Sequence, residues 1–308
     1  IVNYHSESYD NERTLHQSAA RILEQLGTLL TETNPDLVLV QGDTTTAFTG
    51  ALAAYYSGIP VAHIEAGLRT GHLYSPWPEE AHRCLIDRLT TYFFAPTVQA
   101  QNTLLVEGVS PDKIWVVGNT SIDSIRLVRS SLQATKDPQK RIIVVTVHRR
   151  ENHGAPLKEI CTALRLIAEQ FSDVHIILLL HPNPAVCLSV KEMLSGIRNI
   201  ELREPADHSS FVQLLDACVL IITDSGGIQE EAPFMGKPLL IIRDTTERPE
   251  GVEAGTARLV GTKTADIIAG CKELLENEET LIAMSKVHFP YGDGYAAERI
   301  VNILESEF

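Results

Sequence analysis

The segment Thr223-Asp224-Ser225-Gly226-Gly227-Ile228-Gln229-Glu230-Glu231-Ala232-Pro233 directly follows an apolar run from Cys218 to Ile222. A short apolar run that is bounded by a turn signal predicts a buried parallel strand. Ser225 is a favourable N-cap, so the segment predicts a strand, a tight turn and a helix. The free N–H groups at the start of such a helix suit an anion such as a diphosphate. A plain strand–turn–helix corner, capped by a serine and without a ligand, fits this segment alone equally well.

Two other features of the segment favour a ligand site. Gly226 and Gly227 lack side chains, so a ligand can approach the bare backbone there. Glu231 comes within two turns of the helix start, where its carboxylate can accept hydrogen bonds from a sugar hydroxyl. The weight of this interpretation depends on which residues end the other predicted strands.

The same alternation of strand and helix extends on both sides of this segment. In the second half of the chain, strands are predicted at 142–147, 174–180, 200–202, 238–242 and 258–260, and helices at 157–171, 209–216, 264–276, 278–286 and 294–305. In the first half, helices are predicted at 14–33, 47–56, 80–90 and 97–107, and strands at 37–40, 61–64, 92–95 and 114–117.

This alternation predicts an α/β protein with two doubly wound parallel sheets, each Rossmann-like. Residues 134–140 are the best candidate for a linker, so the domains are predicted at 1–138 and 139–288. In such sheets ligands bind beyond the carboxyl ends of the strands. Those ends carry Asp43, Glu65, His148, His181, Ser225 and Arg243. Two sheets that face each other across such ends would form an interdomain cleft.

Composition excludes several classes of protein. The 308-residue chain has a formal charge of −14, which argues against a general nucleic-acid or anionic-membrane surface. No apolar run is long enough for a membrane span, and no secretory signal is recognisable. The five cysteines are widely spaced and odd in number, which favours free thiols in a reducing cytoplasm over disulfides or a metal site.

The strand-end residues indicate acid–base chemistry. Asp43, Glu65 and Glu79 are carboxylates whose crowding would shift their pKa values apart, so that one acts as an acid and another as a base. Asp43 and Glu79 also fit simple helix-capping roles, whereas Glu65 before Ala-Gly does not. His148 with its neighbour Arg149 can hold a diphosphate and support its departure.

Several alternatives remain open from the residues alone. His148 fits a structural role about as well as a catalytic one, His181 with the following proline fits a rigid turn, and Arg243 fits a solvated loop. The sequence contains no zinc-ligand spacing, no G-x-G-x-x-G fingerprint and no Walker loop. The residues together predict an enzyme that acts on a nucleotide diphosphate compound at its sugar.

Eight motifs resemble the non-hydrolysing UDP-N-acetylglucosamine 2-epimerases. They occur in the family's order and cover essentially the whole chain: QGDTTT at 41–46, HIEAGLRT at 63–70, SPWPEE at 75–80, VGNT at 117–120, VHRREN at 147–152, TDSGGIQEEAP at 223–233, RDTTERPE at 243–250 and PYGDG at 290–294.

The resemblance implies a glycosyltransferase-B-like fold, with a C-terminal helix within 289–308 that packs back on the first domain. It implies a cytoplasmic homodimer in polysaccharide biosynthesis, with no metal and no NAD or other cofactor. The implied reaction is reversible C2 epimerisation of UDP-GlcNAc to UDP-ManNAc, by anti elimination of UDP to 2-acetamidoglucal and re-addition.

The resemblance also implies residue roles. It places the acidic catalytic set on Asp43, Glu65 and Glu79, and the catalytic histidine on His148. It places the nucleotide site on Ser225, Gly226, Gly227 and Glu231, with Glu231 on the ribose, and Arg149 and Arg243 join this group as candidates for substrate binding. A second UDP-GlcNAc acts as activator in this family, and Glu79 and His181 match positions that line that region.

One departure concerns the start of the chain. Family members begin with a strand and a Gly-Thr-Arg-Pro-Glu turn, and no residues here match them, so the first domain is expected to lack its N-terminal strand. The alternatives are a hydrolysing epimerase that releases ManNAc, a glycosyltransferase of the same fold, and an inactive UDP-sugar-binding protein.

Overall fold

The computed structural model describes residues 14–131, 141–181 and 183–307. Within them the chain divides into two compact units: the first contains residues up to Asn119 together with 298–307, and the second contains Thr120–Ala297. The expected linker at 134–140, the expected domain boundary at 138, the start of the chain and Pro182 all lie outside the described residues.

The first unit contains a parallel sheet of order β1-β2-β3-β4. Its strands are β1 (Val38–Gln41), β2 (Val61–Ile64), β3 (Tyr92–Ala95) and β4 (Ile114–Val116). Its helices are α1 (Leu15–Thr33), α2 (Thr45–Tyr56), α3 (Glu79–Leu89) and α4 (Val98–Val106).

Successive residues of β3 enter separate cores because side chains alternate across a strand. Phe93 packs with Leu104 in one cluster, and Phe94 packs with Ala62 and Ile300 in another. Residues 298–307 therefore belong to the first unit through Ile300. A third cluster joins α1, α2 and α3 to β1 and β2. Both faces of the sheet are covered, as parallel sheets require.

The second unit contains a parallel sheet of order β10-β9-β8-β5-β6-β7. Its strands are β5 (Arg141–Thr146), β6 (Val174–Leu179), β7 (Ile200–Arg203), β8 (Leu220–Thr223), β9 (Leu239–Ile241) and β10 (Ala257–Leu259). Its helices are α5 (Thr120–Ser131), α6 (Ala155–Gln170), α7 (Pro184–Leu194), α8 (His208–Ala217), α9 (Gly226–Met235), α10 (Glu250–Glu253), α11 (Thr264–Glu276) and α12 (Glu278–Met284); α13 (Ala296–Glu307) runs on into the first unit's C-terminal residues.

The strands of the second sheet are buried on both faces. Ile143 and Val145 of β5 pack in a core with α6 and α11, whereas Val144 packs in a core with α8 and α9. Ile125 of α5 belongs to this second core, which attaches α5 to the second unit. The sequence pattern did not predict α5, α7 or α10.

All five cysteines are free thiols, and Cys161, Cys218 and Cys271 are buried. In the described part of the chain no helix is both long and apolar enough to cross a bilayer.

Candidate active site

Four functional candidates of the second unit occupy equivalent positions at one edge of its sheet. His148, His181, Ser225 and Arg243 each lie two residues beyond the end of β5, β6, β8 and β9 respectively. These four strands are neighbours in the sheet, in the order β9-β8-β5-β6. The sheet therefore brings together, along one edge, side chains that are up to 95 positions apart in the sequence, as from 148 to 243.

His148 is held by a buried carboxylate, Asp224. The Nδ1 atom of His148 lies 3.0 Å from Asp224 Oδ1, and 44% of the histidine side chain is exposed whereas the aspartate is fully buried. Asp224 also accepts from the backbone N–H groups of His148 and Arg149 and from Asn152 Nδ2. Burial opposes ionisation, but the bonds from His148 and the other donors hold the pKa of Asp224 below its ordinary value.

This geometry orients the imidazole for proton transfer. Because Asp224 is ionised and only accepts, Nδ1 of His148 carries a proton and Nε2 is the atom free for chemistry. The sequence motifs singled out His148 and did not assign a role to Asp224. The sequence feature that points to Asp224 is its position in the segment 223–233, directly after β8. That strand is the neighbour of β5, which His148 follows.

The start of α9 presents open backbone donors. Ser225 caps the helix by accepting from the N–H of Ile228, and Thr223 Oγ1 accepts from the N–H of Ser225. Among the described residues no acceptor bonds the N–H groups of Gly226 and Gly227, which belong to the first helical turn. Two such donors at the positive end of a helix suit a phosphate.

The two glycines serve different purposes. A Cβ atom at Gly226 would lie 2.7 Å from Nη1 of Arg248, so the packing of the protein itself excludes a side chain there. A Cβ atom at Gly227 would meet nothing closer than 3.9 Å, where Glu231 Oε1 lies. Space for a ligand at the bare backbone is therefore found at Gly227, whereas the guanidinium of Arg248 fills the space beside Gly226.

A buried cluster of arginines and glutamates lies beside this helix start. Glu247, whose side chain is fully buried, accepts from Arg243 Nη1 at 2.8 Å, from Arg248 and, at 3.5 Å, from Arg149. Arg243 is only 1% exposed, and its Nη2 has no hydrogen-bond partner among the described residues. A buried guanidinium N–H without an acceptor is costly unless a ligand supplies one.

Glu231 has an unusual environment for a carboxylate. Burial raises the pKa of Glu231 to about 7, and its Oε2 is buried without a partner among the described residues. It lies on the first turns of α9, with Oε1 near Gly227. A hydroxyl donor from a ligand would satisfy this atom.

Tyr291, from the motif at 290–294, attaches the loop that carries Arg248. The buried phenol oxygen accepts from the N–H of Gly251 at 3.2 Å and donates to the carbonyl of Arg248 at 3.2 Å. Burial, with the nearby Glu250 and Glu230 carboxylates, raises the pKa of Tyr291, so the phenol remains a donor. Arg248 in turn bonds the buried Glu230.

His181 lines a pocket at the ends of β5, β6 and β7. The cavity has a volume of about 180 Å³ and is lined by residues that include His148, Leu180, Pro205 and Ala206. The ring of His153 contacts that of His181 edge-on, with centroids 5.5 Å apart. Burial, with the charges of His153 and His148, lowers the pKa of His181, which favours a neutral ring.

In the first unit, Asp43 and Glu65 follow the adjacent strands β1 and β2. Asp43 accepts from Nε and Nη2 of Arg83. The Nη1 atom of the same guanidinium donates to Glu80 Oε2 at 2.9 Å. Arg83 and Glu80 are both 3% exposed, whereas the Asp43 side chain is 27% exposed. The arginine thus presents Asp43 as a carboxylate at the edge of the sheet.

Glu65 is held in an uncommon backbone conformation. Its φ of +72° lies in the left-handed region, which costs a non-glycine residue free energy that the surrounding contacts must offset. The N–H of Glu65 donates to the carbonyl of Phe94, and Gln41 Nε2 donates to Glu65 Oε1 at 3.0 Å. Such an outlier at a strand end is typical of a functional position.

Glu79 is the first residue of α3 and is half-buried, as expected for a residue at the edge of a site. Its neighbour Glu80 is instead a structural carboxylate that accepts from the N–H groups of Thr70 and Gly71. The sequence motifs did not assign Glu80 or Arg83 a role. Across the described residues no group of histidine, cysteine and carboxylate side chains has the geometry of a metal site.

Comparison with known proteins agrees with these features. A family model described as UDP-N-acetylglucosamine 2-epimerase matches residues 2–305. The curated UDP-N-acetylglucosamine 2-epimerase of Escherichia coli K12 is 47% identical over 305 residues, which cover 95% of this chain and 81% of that protein.

Two solved structures extend the comparison to the fold. The crystal structure of UDP-GlcNAc 2-epimerase from Neisseria meningitidis bound to UDP-GlcNAc is 42% identical, covers 97% of this chain and 84% of that one, and superposes with a TM-score of 0.95. The enzyme from Methanocaldococcus jannaschii in complex with UDP-GlcNAc and UDP is 36% identical, covers 96% of this chain and 82% of that one, and has a TM-score of 0.84.

The fold is therefore that of an α/β protein with two parallel sheets, of the glycosyltransferase-B-like kind. The chain belongs to the UDP-N-acetylglucosamine 2-epimerase family. This membership confirms the fold class and the family that the eight sequence motifs predict.

Proposed function

We propose that this protein is an enzyme that catalyses the reversible epimerisation of UDP-GlcNAc to UDP-ManNAc. The observation that carries the proposal is the position of His148, which is oriented by the buried Asp224 and follows β5, the neighbour of the strand that leads to the open amides of Gly226 and Gly227. Oriented imidazole and amide donors suit the departure and return of a diphosphate. Family membership supports the same reaction.

The nucleotide end of the substrate is assigned to the second unit. The amides of Gly226 and Gly227, with Ser225, bind the diphosphate, and the partnerless Nη2 of the buried Arg243 adds charge. Arg149 extends the positive charge beside His148. Glu231 accepts from a ribose hydroxyl, which satisfies its buried oxygen.

The sugar chemistry is assigned to the carboxylates of the first unit. In the forward step the bond between C1 and the UDP oxygen breaks, a carboxylate removes the C2 proton, and 2-acetamidoglucal and UDP form. In the return step UDP adds to C1 and a proton is delivered to the other face of C2. Asp43 and Glu79 transfer these protons, Glu65 stabilises the positive charge that develops on the ring, and His148 assists UDP.

Proton NMR of UDP-GlcNAc with the purified protein in D2O tests the proposal. We expect deuterium at C2 together with UDP-ManNAc. Free ManNAc with UDP would identify a hydrolysing epimerase, and transfer to an acceptor without C2 exchange would identify a glycosyltransferase. Binding of UDP-GlcNAc without any of these products would identify a sugar-nucleotide-binding protein and overturn the proposal.

Three further properties belong to the proposal. We propose a cytoplasmic homodimer that supplies an activated sugar for polysaccharide synthesis. We also propose that a second UDP-GlcNAc activates the enzyme through Glu79 and His181, since His181 lines an open pocket beside His148. Sedimentation measures the oligomeric state. Rates of the reverse reaction from UDP-ManNAc, measured with and without trace UDP-GlcNAc, test activation, with His181→Gln expected to remove it.

A further inference from the structure

A fully buried histidine, His63, lies beneath the two loops that carry Asp43 and Glu65. It belongs to β2, and its Nε2 lies 2.9 Å from the carbonyl of Gly42 while its Nδ1 lies 2.6 Å from Oδ1 of Asp87. A carbonyl only accepts, so Nε2 carries a proton. An ionised carboxylate also only accepts, so Nδ1 carries one as well.

The carboxylate of Asp87 is ionised despite its burial. The burial of Asp87 favours the neutral form, but His63 and Arg69 outweigh it and hold the pKa of Asp87 below its ordinary value. Arg69 Nη2 donates to Asp87 Oδ2 at 2.7 Å, and the N–H of Gly67 donates to the same oxygen at 3.2 Å. His63 is therefore an imidazolium enclosed between two acceptors.

Asp87 connects both strand-end loops to one helix. Through His63 it holds the carbonyl of Gly42, the residue before Asp43, and through the N–H of Gly67 it holds the turn that begins at Glu65. A carboxylate in the last turn of α3 thus fixes the backbone on both sides of the candidate catalytic pair.

The same helix holds these loops at other points. His82 Nδ1 bonds the carbonyl of Asp43 at 2.9 Å, and Arg83 bonds the carboxylate of Asp43. Asp87 and His63 differ from these groups because together they form one buried ion pair that reaches both the carbonyl of Gly42 and the N–H of Gly67.

We propose that His63 and Asp87 are positioning residues that set the separation of the Asp43 and Glu65 carboxylates for the reaction. This role rests on the proposed epimerase function. Neither residue touches the sugar, since both are buried. A displacement of about 1 Å in a catalytic group can cost on the order of 100-fold in rate, so a buried brace of this kind can control turnover.

The isosteric variant Asp87→Asn tests the role. One of its two carboxylate oxygens becomes an NH2 donor, so the variant loses either the bond from His63 or the bonds from Gly67 and Arg69 while the volume is kept. We expect kcat to fall roughly 10- to 100-fold while the Kd for UDP changes less than about twofold, because groups of the second unit bind UDP. His63→Gln can reach only one of the two acceptors. It should likewise lower kcat while leaving the Kd for UDP nearly unchanged.

Matched controls separate this role from surface effects and general damage. Asp112→Asn and His16→Gln change exposed residues of the same unit and should leave kcat and KM unchanged. The double variant Asp87→Asn with His63→Gln should be no slower than the slower single variant by more than about threefold, because both break one bridge. Full kcat in either single variant, or equal losses of UDP affinity and kcat, would overturn the proposal.

A spectroscopic measurement covers the case in which the variants do not fold. In the wild-type protein, both ring nitrogens of His63 should show the ¹⁵N shifts of hydrogen-bond donors, and a ring nitrogen that carries no hydrogen-bonded proton would disprove the bridge. If the wild type shows no C2 exchange with UDP-GlcNAc, the proposed function fails and the positioning role with it, whereas the ring spectrum still reports whether the bridge exists.

Discussion

Arg248 occupies the volume that a side chain at position 226 would need, with its Nη1 atom 2.7 Å from an ideal Cβ there. The guanidinium is fixed by Glu230 and Glu247, both of which are buried, so it cannot move aside without breaking two ion pairs. The glycine at the start of α9 is therefore required by the packing of Arg248, which lies 22 positions later in the sequence.

Gly226→Ala is expected to weaken UDP binding at least tenfold, about 1.4 kcal/mol, because the new methyl group displaces Arg248 and tilts the first turn of α9. Calorimetric titration with UDP measures this change. Gly27→Ala in α1 is the control, since a Cβ atom there meets nothing within 4 Å and the residue lies in the first unit. Equal losses in the two variants would contradict this account.

UDP affinity is expected to decrease as the pH falls below about 7. Burial raises the pKa of Glu231 to about 7, and in the proposed complex a ribose hydroxyl donates to its ionised form. Binding therefore favours the deprotonated carboxylate, and affinity should fall up to about tenfold for each pH unit below that value. Titrations between pH 5.5 and 8 measure this dependence.

Glu231→Gln separates this effect from the titration of the diphosphate and of nearby histidines. An amide keeps the shape and can still accept a hydrogen bond, but it does not ionise. The variant should therefore show a flatter pH profile, and its affinity near pH 6 should approach that of the wild type. An unchanged profile would assign the dependence to another group.

Asp224→Asn is expected to lower kcat by roughly 100-fold, within the range for loss of oriented general acid–base catalysis. The amide no longer fixes the proton on Nδ1 of His148, although the volume is unchanged. Steady-state assays on the single variants and on the double variant with His148→Gln measure the coupling. Additive losses would show that Asp224 acts independently of the histidine. Asp173→Asn, at an exposed site of the same unit, should have no effect.

Tyr291→Phe is expected to lower the free energy of unfolding by about 1–3 kcal/mol, because it leaves the N–H of Gly251 and the carbonyl of Arg248 without their partner. Thermal or urea unfolding measures the change. Tyr55→Phe, with a side chain that is 61% exposed, should change it by less than about 0.5 kcal/mol. A weaker affinity for UDP in Tyr291→Phe alone would show that Arg248 transmits the loss to α9.

The positions of the strands were readable from the sequence because parallel strands buried on both faces are continuous apolar runs. The predicted strands at 61–64 and 92–95 match β2 and β3, and the residues that come after the strands reach the sheet edges. The helix α5 was missed because its apolar Ile122 and Ile125 are interspersed with polar residues, and only packing in the second unit shows its buried side.

The side chains that contact the predicted site residues could not be predicted from the sequence. Asp43 bonds Arg83, 40 positions later, and Gly226 abuts Arg248, pairs that no local spacing rule connects. His148 pairs with Asp224 only because β5 and β8 are adjacent in the sheet. A single sequence indicates which residues end strands, whereas their ion-pair partners depend on strand order.

The helix α3 has a consequence for how this protein can vary. It carries Glu79 in its first turn and Asp87 eight residues later. Each inserted residue would rotate the remainder of the helix by about 100° and shift it by about 1.5 Å. Between these two residues the chain can therefore exchange an exposed side chain such as Leu85 but cannot gain or lose a residue, so its length is under stricter constraint than its composition.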